Sequence, residues 1–225
     1  MNTTELKDKF RTEVFDKAAP HFWSDEEVYE YMNDAQYMFC RLVEGIQDST
    51  SNATNIAVLA GEAFADLSPK VLKIRKATLA SNFRDVTLMN AEDIWNSPTV
   101  DYGLSPTPKL DNTTGPVQAI VLGMEQDQVR LINIPLEDDT INLVTYRLPL
   151  VDVIQDGQDL EIAPQHHIYL LHWMKYRAYS KHDAEIFDGA KSSDFEARFI
   201  NYCTQARIET ETRKHKHRTV QYGGL

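Results

Sequence analysis

The hydrophobic positions change their spacing twice along the chain. In the first segment Leu6, Phe10 and Val14 recur every four residues, the period of one helix face. Pro20 interrupts that run. WSDEEVYEYMNDAQYMFCRLVEG then carries a fuller helix signature. Ser24 stands where an N-cap is needed, with Glu27 three residues on, the capping-box spacing. Trp23 and Val28 occupy the two staple positions around it. Val28, Tyr31, Ala35, Met38 and Leu42 form the stripe, and Gly45 supplies a stop, so an amphipathic helix is predicted over 25–44.

From Asn55 to Leu160 the pattern becomes short apolar runs divided by Gly, Pro and Asn. IAVLAG, AFADL, KVLKIRKATL, PVQAIVLG, QVRLINIP and TINLVTYRLP read as strands. They lie too close together for regular crossover helices, so mainly antiparallel pairing is expected. Asn90 can cap a short helix at AEDIW, and residues 99–116 read as a long exposed loop. Helical spacing returns after Gly157. Pro164 suits a first helical turn ahead of QHHIYLLHWMKYRAYS, and a last helix runs to about Thr210 with Phe195, Phe199, Tyr202 and Ala206 on its apolar face. The expected fold class is α+β: a four-helix bundle with an inserted, mainly antiparallel β-rich domain and an extended C-terminal tail. The expected divisions are 1–48 for the N-terminal helices, 53–160 for the β-rich domain, 161–210 for the C-terminal helices and 211–225 for the tail.

Charge sharpens this picture at one end. The closing RKHKHRTVQYGGL holds four Lys or Arg and no acid, whereas residues 1–212 hold 19 Lys or Arg against 34 Asp or Glu, a balance of −15. Such an acidic body argues against a broad phosphate-binding face. The tail could contact phosphates through Arg213, Lys214, Lys216 and Arg218 and stack Tyr222 on a base, or it could dock on a protein with Val220, Tyr222 and Leu225 as anchors. The N-terminus has no basic segment followed by an apolar run, and no 18-residue apolar stretch exists, so neither a secretory signal nor a membrane span is expected. Cys40 and Cys203 suggest no disulfide scaffold.

Candidate chemistry is sparse. No dinucleotide, phosphate-loop or nucleophile-elbow pattern occurs. His166, His167, His172 and His182 cluster, but His166 and His172 are six apart and have no intervening acid, which does not reproduce zinc-ligand geometry. Acids at Asp25, Glu26 and Glu27 complement a helix N-terminus. No catalytic residue, cofactor or metal is expected. The penultimate helix is rich in aromatics: Tyr169, Trp173, Tyr176 and Tyr179 surround apolar residues on nearly every side. It reads either as the centre of a bundle or as a helix shared with a neighbouring subunit.

The order of motifs resembles the podovirus-type head-to-tail adaptor proteins of tailed bacteriophages, also called head completion or head–tail connector proteins. The likeness is carried by SDEEVYEYMNDAQYMFCRLVEG at 24–45, LSPKVLKIRKATL at 67–79, TINLVTYRLPL at 140–150, and the segment from Leu160 to Phe199. The last contains a short strand at Leu160 to Ile162, the proline-led helix with Ala178 and Tyr179 near its end, then Asp183 and Glu185 before another helix. The resemblance implies a non-enzymatic structural virion protein at the head–tail junction, made in the host cytoplasm. It implies a closed ring of self copies, twelve by family habit, between the portal protein and a tail nozzle or tail tube protein. DNA would pass through the shared channel without sequence-specific binding, and the C-terminal segment from Arg213 would dock on the portal. The competing readings are a nucleic-acid-binding packaging protein that uses the basic tail, and another neck or tail component.

Overall fold

The computed structural model describes residues 1–92, 113–181 and 187–214. These divide into two compact units, one of residues 1–45 with 148 onward, the other of residues 46–147.

The first unit is helical. Helix α1 (Thr3–Glu13) starts at Asn2, whose side chain accepts from the Glu5 amide while the Glu5 carboxylate takes the Asn2 amide, at 2.9 and 3.2 Å. Its stripe of Leu6, Phe10 and Val14 is buried, as the four-residue spacing predicts. Helix α2 (Asp25–Val43) starts at Ser24 with both arms of the expected capping box to Glu27, at 3.2 and 3.0 Å. It ends where Glu44 and Gly45 turn left-handed. A single 3₁₀ turn, Pro164–His166, leads into α3 (His167–Ser180), and α4 (Gly189–Lys214) closes the unit. Helices α2, α3 and α4 pack on one another, whereas α1 packs chiefly on α3.

The expected register of α2 holds in its first half. Val28, Tyr31 and Ala35 are buried, but Met38 and Leu42 are only partly so, and Met32, Phe39 and Val43 fill the core beside them. A helix clasped by two neighbours buries a wider arc than one stripe describes.

The second unit holds strands β1 (Ile46–Asp48), β2 (Asn55–Val58), β3 (Phe64–Asp66), β4 (Val71–Leu79), β5 (Asp85–Asn90), β6 (Ala119–Glu125), β7 (Gln128–Ile132) and β8 (Asp139–Arg147). They form one sheet in the order β1-β8-β4-β5-β6-β7-β3, with β2 also paired to β8. β2 and β3, attached at opposite ends of that order, come beside each other, so the sheet curls into a half-barrel. Ile56, Val58, Leu79, Val86, Ile120, Leu131, Ile141 and Leu143 fill its main core. Ala119, Val121 and Ile132 point to a second, smaller cluster, the alternation that a pleated strand imposes. Gly123, at φ +80°, sits in the β-bulge between Val121 and Glu125, a conformation that favours glycine.

These observations overturn the expected four-helix bundle with an inserted, mainly antiparallel domain and an extended tail. The fold is a strand-rich α+β arrangement with four helices among the described residues. The sheet is mixed, because β5 and β6 run parallel, Thr87 opposite Ala119 and Asn90 opposite Leu122. α1 is no fourth member of a layered bundle: it is three turns long and is tied in by charges. The chain is still helical from Glu211 to Lys214, where an extended segment was expected. The expected helix after Asn90 is described only at Ala91 and Glu92, and residues 99–112 of the expected loop lie outside the described residues.

β1 and β8 hold the two ends of the strand-rich unit together. Ile46 pairs with Arg147 and Asp48 with Thr145. Beneath that pairing the Arg147 guanidinium donates through Nε to Asp48 Oδ2, with both side chains about nine-tenths buried. Asp48 Oδ1 also accepts from the amides of Thr50 at 2.9 Å and Ser51 at 3.3 Å. Burial by itself raises this carboxyl's pKa, but the Ser51, Thr50 and Arg147 hydrogen bonds win and hold it well below the usual range. Asp48→Ala removes the carboxylate that faces the buried Arg147 guanidinium and is expected to cost about 3–5 kcal/mol in denaturant unfolding; a loss below about 0.5 kcal/mol would show the pair to be dispensable. In the helical unit Met32→Ala should cost about 2–5 kcal/mol, and Leu42→Ala less than half of that. The reverse ranking would restore the register expected from sequence.

Candidate interaction surfaces

The aromatic helix α3 spends most of its rings inside its own chain. Trp173 is 7% exposed and lies 4.7 Å from Tyr176 and 5.1 Å from Phe199, ring centre to ring centre. Tyr179 stacks on Phe195 at 5.9 Å and meets Trp23 edge-on at 6.4 Å. Tyr176 is half-buried, and its carbonyl accepts from Ser192 Oγ at 3.2 Å. Tyr169 stacks on Tyr202 at 3.5 Å and is the most exposed of the four, at 37%. Thus Trp173 serves the α3–α4 contact, and Tyr169 presents one face outward.

His166 and Tyr202 form a polar pair among these rings. The Tyr202 hydroxyl lies 2.7 Å from His166 Nδ1, with Phe39 4.8 Å from the imidazole. Burial lowers the His166 pKa and raises that of Tyr202 to about 12. At neutral pH an uncharged imidazole therefore shares this hydrogen bond with the phenol. His167 Nε2 meets the Ile162 carbonyl, and His172 is also held neutral by burial, so these histidines are packing residues. His182 lies outside the described residues. Among the described residues no group of three or more His, Cys, Asp or Glu is placed to hold a metal ion, and no helix is long and apolar enough to cross a membrane.

A second polar site had no place in the sequence reading. Lys7, 6% exposed, donates to Asp25 Oδ2 at 2.9 Å, Asp156 Oδ2 at 2.7 Å and the Tyr29 hydroxyl at 3.3 Å. One turn on, Arg11 donates to Asp16 at 2.7 Å, to Asp25 Oδ1 at 2.6 Å and to the Trp23 carbonyl at 3.1 Å. Burial of the Lys7 ammonium would lower its pKa, but hydrogen bonds to Asp156 and Asp25 outweigh it and raise the value. A cleft of about 400 Å³ opens here, lined by Lys7, Asp8, Arg11, Lys17, His21 and Asp25 among others. Its two deepest cations already have carboxylate partners, which makes it a clamp on α1 rather than a place for an anion. Asp25 was legible as a helix-end charge; that it also receives Lys7 and Arg11 was not.

Of the basic C-terminal residues, Arg213 and Lys214 end α4. Arg213 is exposed, and the Lys214 ammonium meets the Glu44 carboxylate at the end of α2. Lys216, Arg218, Val220, Tyr222 and Leu225 lie outside the described residues.

A family model described as SU10 adaptor protein matches residues 1–221. The chain belongs to the SU10 adaptor protein family. No curated protein matches it. It is a phage structural adaptor and a component of the virion, from a family not known for catalysis. The rings and ion pairs above hold the shape of its helical unit.

The histidines give the adaptor a testable acid sensitivity. A His whose folded pKa is depressed contributes stability that is present above the unfolded value, about 6.5, and is lost as pH falls through that value toward the folded one. The thermal midpoint is therefore expected to fall as pH drops from about 7 to 5, and His166→Phe should flatten that part of the profile. Below about pH 4 a further loss should follow as Asp25 and Asp156, both lowered chiefly by their Lys7 hydrogen bonds, become protonated. A midpoint independent of pH from 7 to 5 would contradict the half-buried, neutral His166 and His172.

Proposed function

We propose that this adaptor forms a closed ring between the portal and the tail nozzle or tail tube and extends the DNA channel. The match to the SU10 adaptor protein family over residues 1–221 carries this reading. Charge supports it. A wall along which DNA slides must not accumulate phosphate contacts, and a body of 19 Lys or Arg against 34 Asp or Glu repels phosphate. A ring needs a heterologous contact that closes on itself, and twelve copies would match the family habit stated above. Tyr169, the most exposed aromatic of α3, is our candidate for the contact between copies.

The C-terminal residues take the portal in this proposal. Arg213, Lys216 and Arg218 meet acidic groups there, Val220, Tyr222 and Leu225 bury apolar area, and Lys214 anchors the start of the segment through Glu44. Because α4 runs to Lys214, the informative truncation removes residues 215–225. Portal affinity should fall roughly tenfold or more, the full-length protein should lose affinity as salt is raised, and helicity should stay unchanged. Native mass spectrometry of portal–adaptor complexes should count one adaptor per ring position. Equal portal binding by both forms, with DNA retained by the full-length form alone, would instead make the tail a nucleic-acid contact of a packaging protein.

A further inference from the structure

Three connections meet at the N-terminal end of β8. β2 and β4 flank that end on its two sides, with Val58 opposite Asp139 and Leu79 opposite Ile141. The β2–β3 loop, the β4–β5 turn and the β7–β8 segment therefore finish side by side. Two adjacent carboxylates fasten them. Asp138 Oδ1 accepts from the Ala60 amide at 2.8 Å, and Asp139 accepts from the Ser81 amide at 3.3 Å and the Ser81 hydroxyl at 2.7 Å. Main-chain bonds repeat the ties: Gly61 N donates to the Pro135 carbonyl at 2.9 Å and Ala80 N to the Thr140 carbonyl at 2.8 Å.

Each of these fastened loops turns one large apolar side chain outward. Leu59 is 56% exposed, Phe83 82% and Leu136 69%. Exposed hydrophobics scattered singly are ordinary. Here three stand on three loops pinned to the same strand end. Phe83 adds an independent sign. Its φ is +57°, a left-handed conformation that a bulky side chain adopts only at a cost, and its exposure shows that the ring gains little burial within the chain in return. The fold would hold this turn more easily with glycine. The charges around the tips are mostly negative: Glu62, Glu137 and Asp138 are exposed, with Arg84 the basic side chain of the β4–β5 turn.

We propose that the tips carrying Leu59, Phe83 and Leu136 are a docking surface for a protein that presents an apolar pocket rimmed by Lys and Arg. Resting on the ring reading above, that protein is the tail-side neighbour. The sign of charge makes the assignment. The C-terminal segment is basic and fits an acidic acceptor; the tips are acidic and fit a basic one, so the two belong to different neighbours. Nucleic acid is a poor occupant, because the acids would face its phosphates. The apolar tips supply buried area at the centre of the contact, and Glu62 and Glu137 supply its rim.

The test uses the full-length adaptor with portal and tail nozzle or tube protein purified from the same phage. Phe83→Gly, Leu136→Ser and the pair Glu62→Lys with Glu137→Lys are compared with wild type for binding to each. Phe83→Gly is expected to leave the thermal midpoint unchanged or higher, since it relieves the left-handed strain, while affinity for the tail protein falls about tenfold. Leu136→Ser should act the same way on affinity, and the charge reversal should weaken binding most at low salt. Portal affinity should not change. Unchanged tail-protein binding in all three, a loss confined to portal, or a loss of adaptor self-association without either partner would each overturn the assignment. Wild-type adaptor that binds neither purified protein fails the ring reading itself, an outcome visible before any variant is compared.

Discussion

The pairing of β1 with β8, closed by the buried Asp48–Arg147 ion pair, is the constraint on which the strand-rich unit depends. It makes the chain enter that unit at Ile46 and leave it at Arg147 side by side. About a hundred residues can then fold as one sheet between two neighbouring points. A buried pair of this kind contributes little net stability when intact, but it penalises any arrangement that separates its partners. Here it sets register at the end of β8. The same strand takes β2 and β4 at its other end, so one strand fixes both the closure of the unit and the place where the loop tips gather.

The helical unit solves a different problem with different means. α2, α3 and α4 meet through rings: Trp173 against Phe199, Tyr169 against Tyr202, and Phe39 against His166. α1 adds a buried stripe and two cations, Lys7 and Arg11, that reach across to Asp16, Asp25 and Asp156. Apolar packing gives cohesion without direction, whereas the charged hydrogen bonds set how a short helix lies.

What the sequence revealed follows from how local each signal is. The start of α2 was legible because Ser24 and Glu27 settle it within four residues. The core side of the same helix was misjudged at Met38 and Leu42, since the face to be buried depends on two packing neighbours and not on one stripe. β5, DVTLMN, escaped notice because its parallel partner β6 starts about thirty residues later and no tight turn marks the pair. The Lys7 clamp was beyond reach for the same reason: Asp156 is 149 positions away. Even for Trp173, the sequence does not divide the ring between its own core and a neighbour's; the structure packs it against Phe199. The family resemblance was legible because it rested on the order of several such segments rather than on any one contact.

The central claim is one of place: a virion adaptor that joins portal to tail in a ring. Cryo-electron microscopy of the phage particle at its head–tail junction tests it most directly. The account predicts a closed ring of this chain between portal and tail component, with the basic C-terminal segment against the portal and Leu59, Phe83 and Leu136 against the tail side. A junction whose ring is built from another protein, with this chain absent or located elsewhere in the particle, would contradict it.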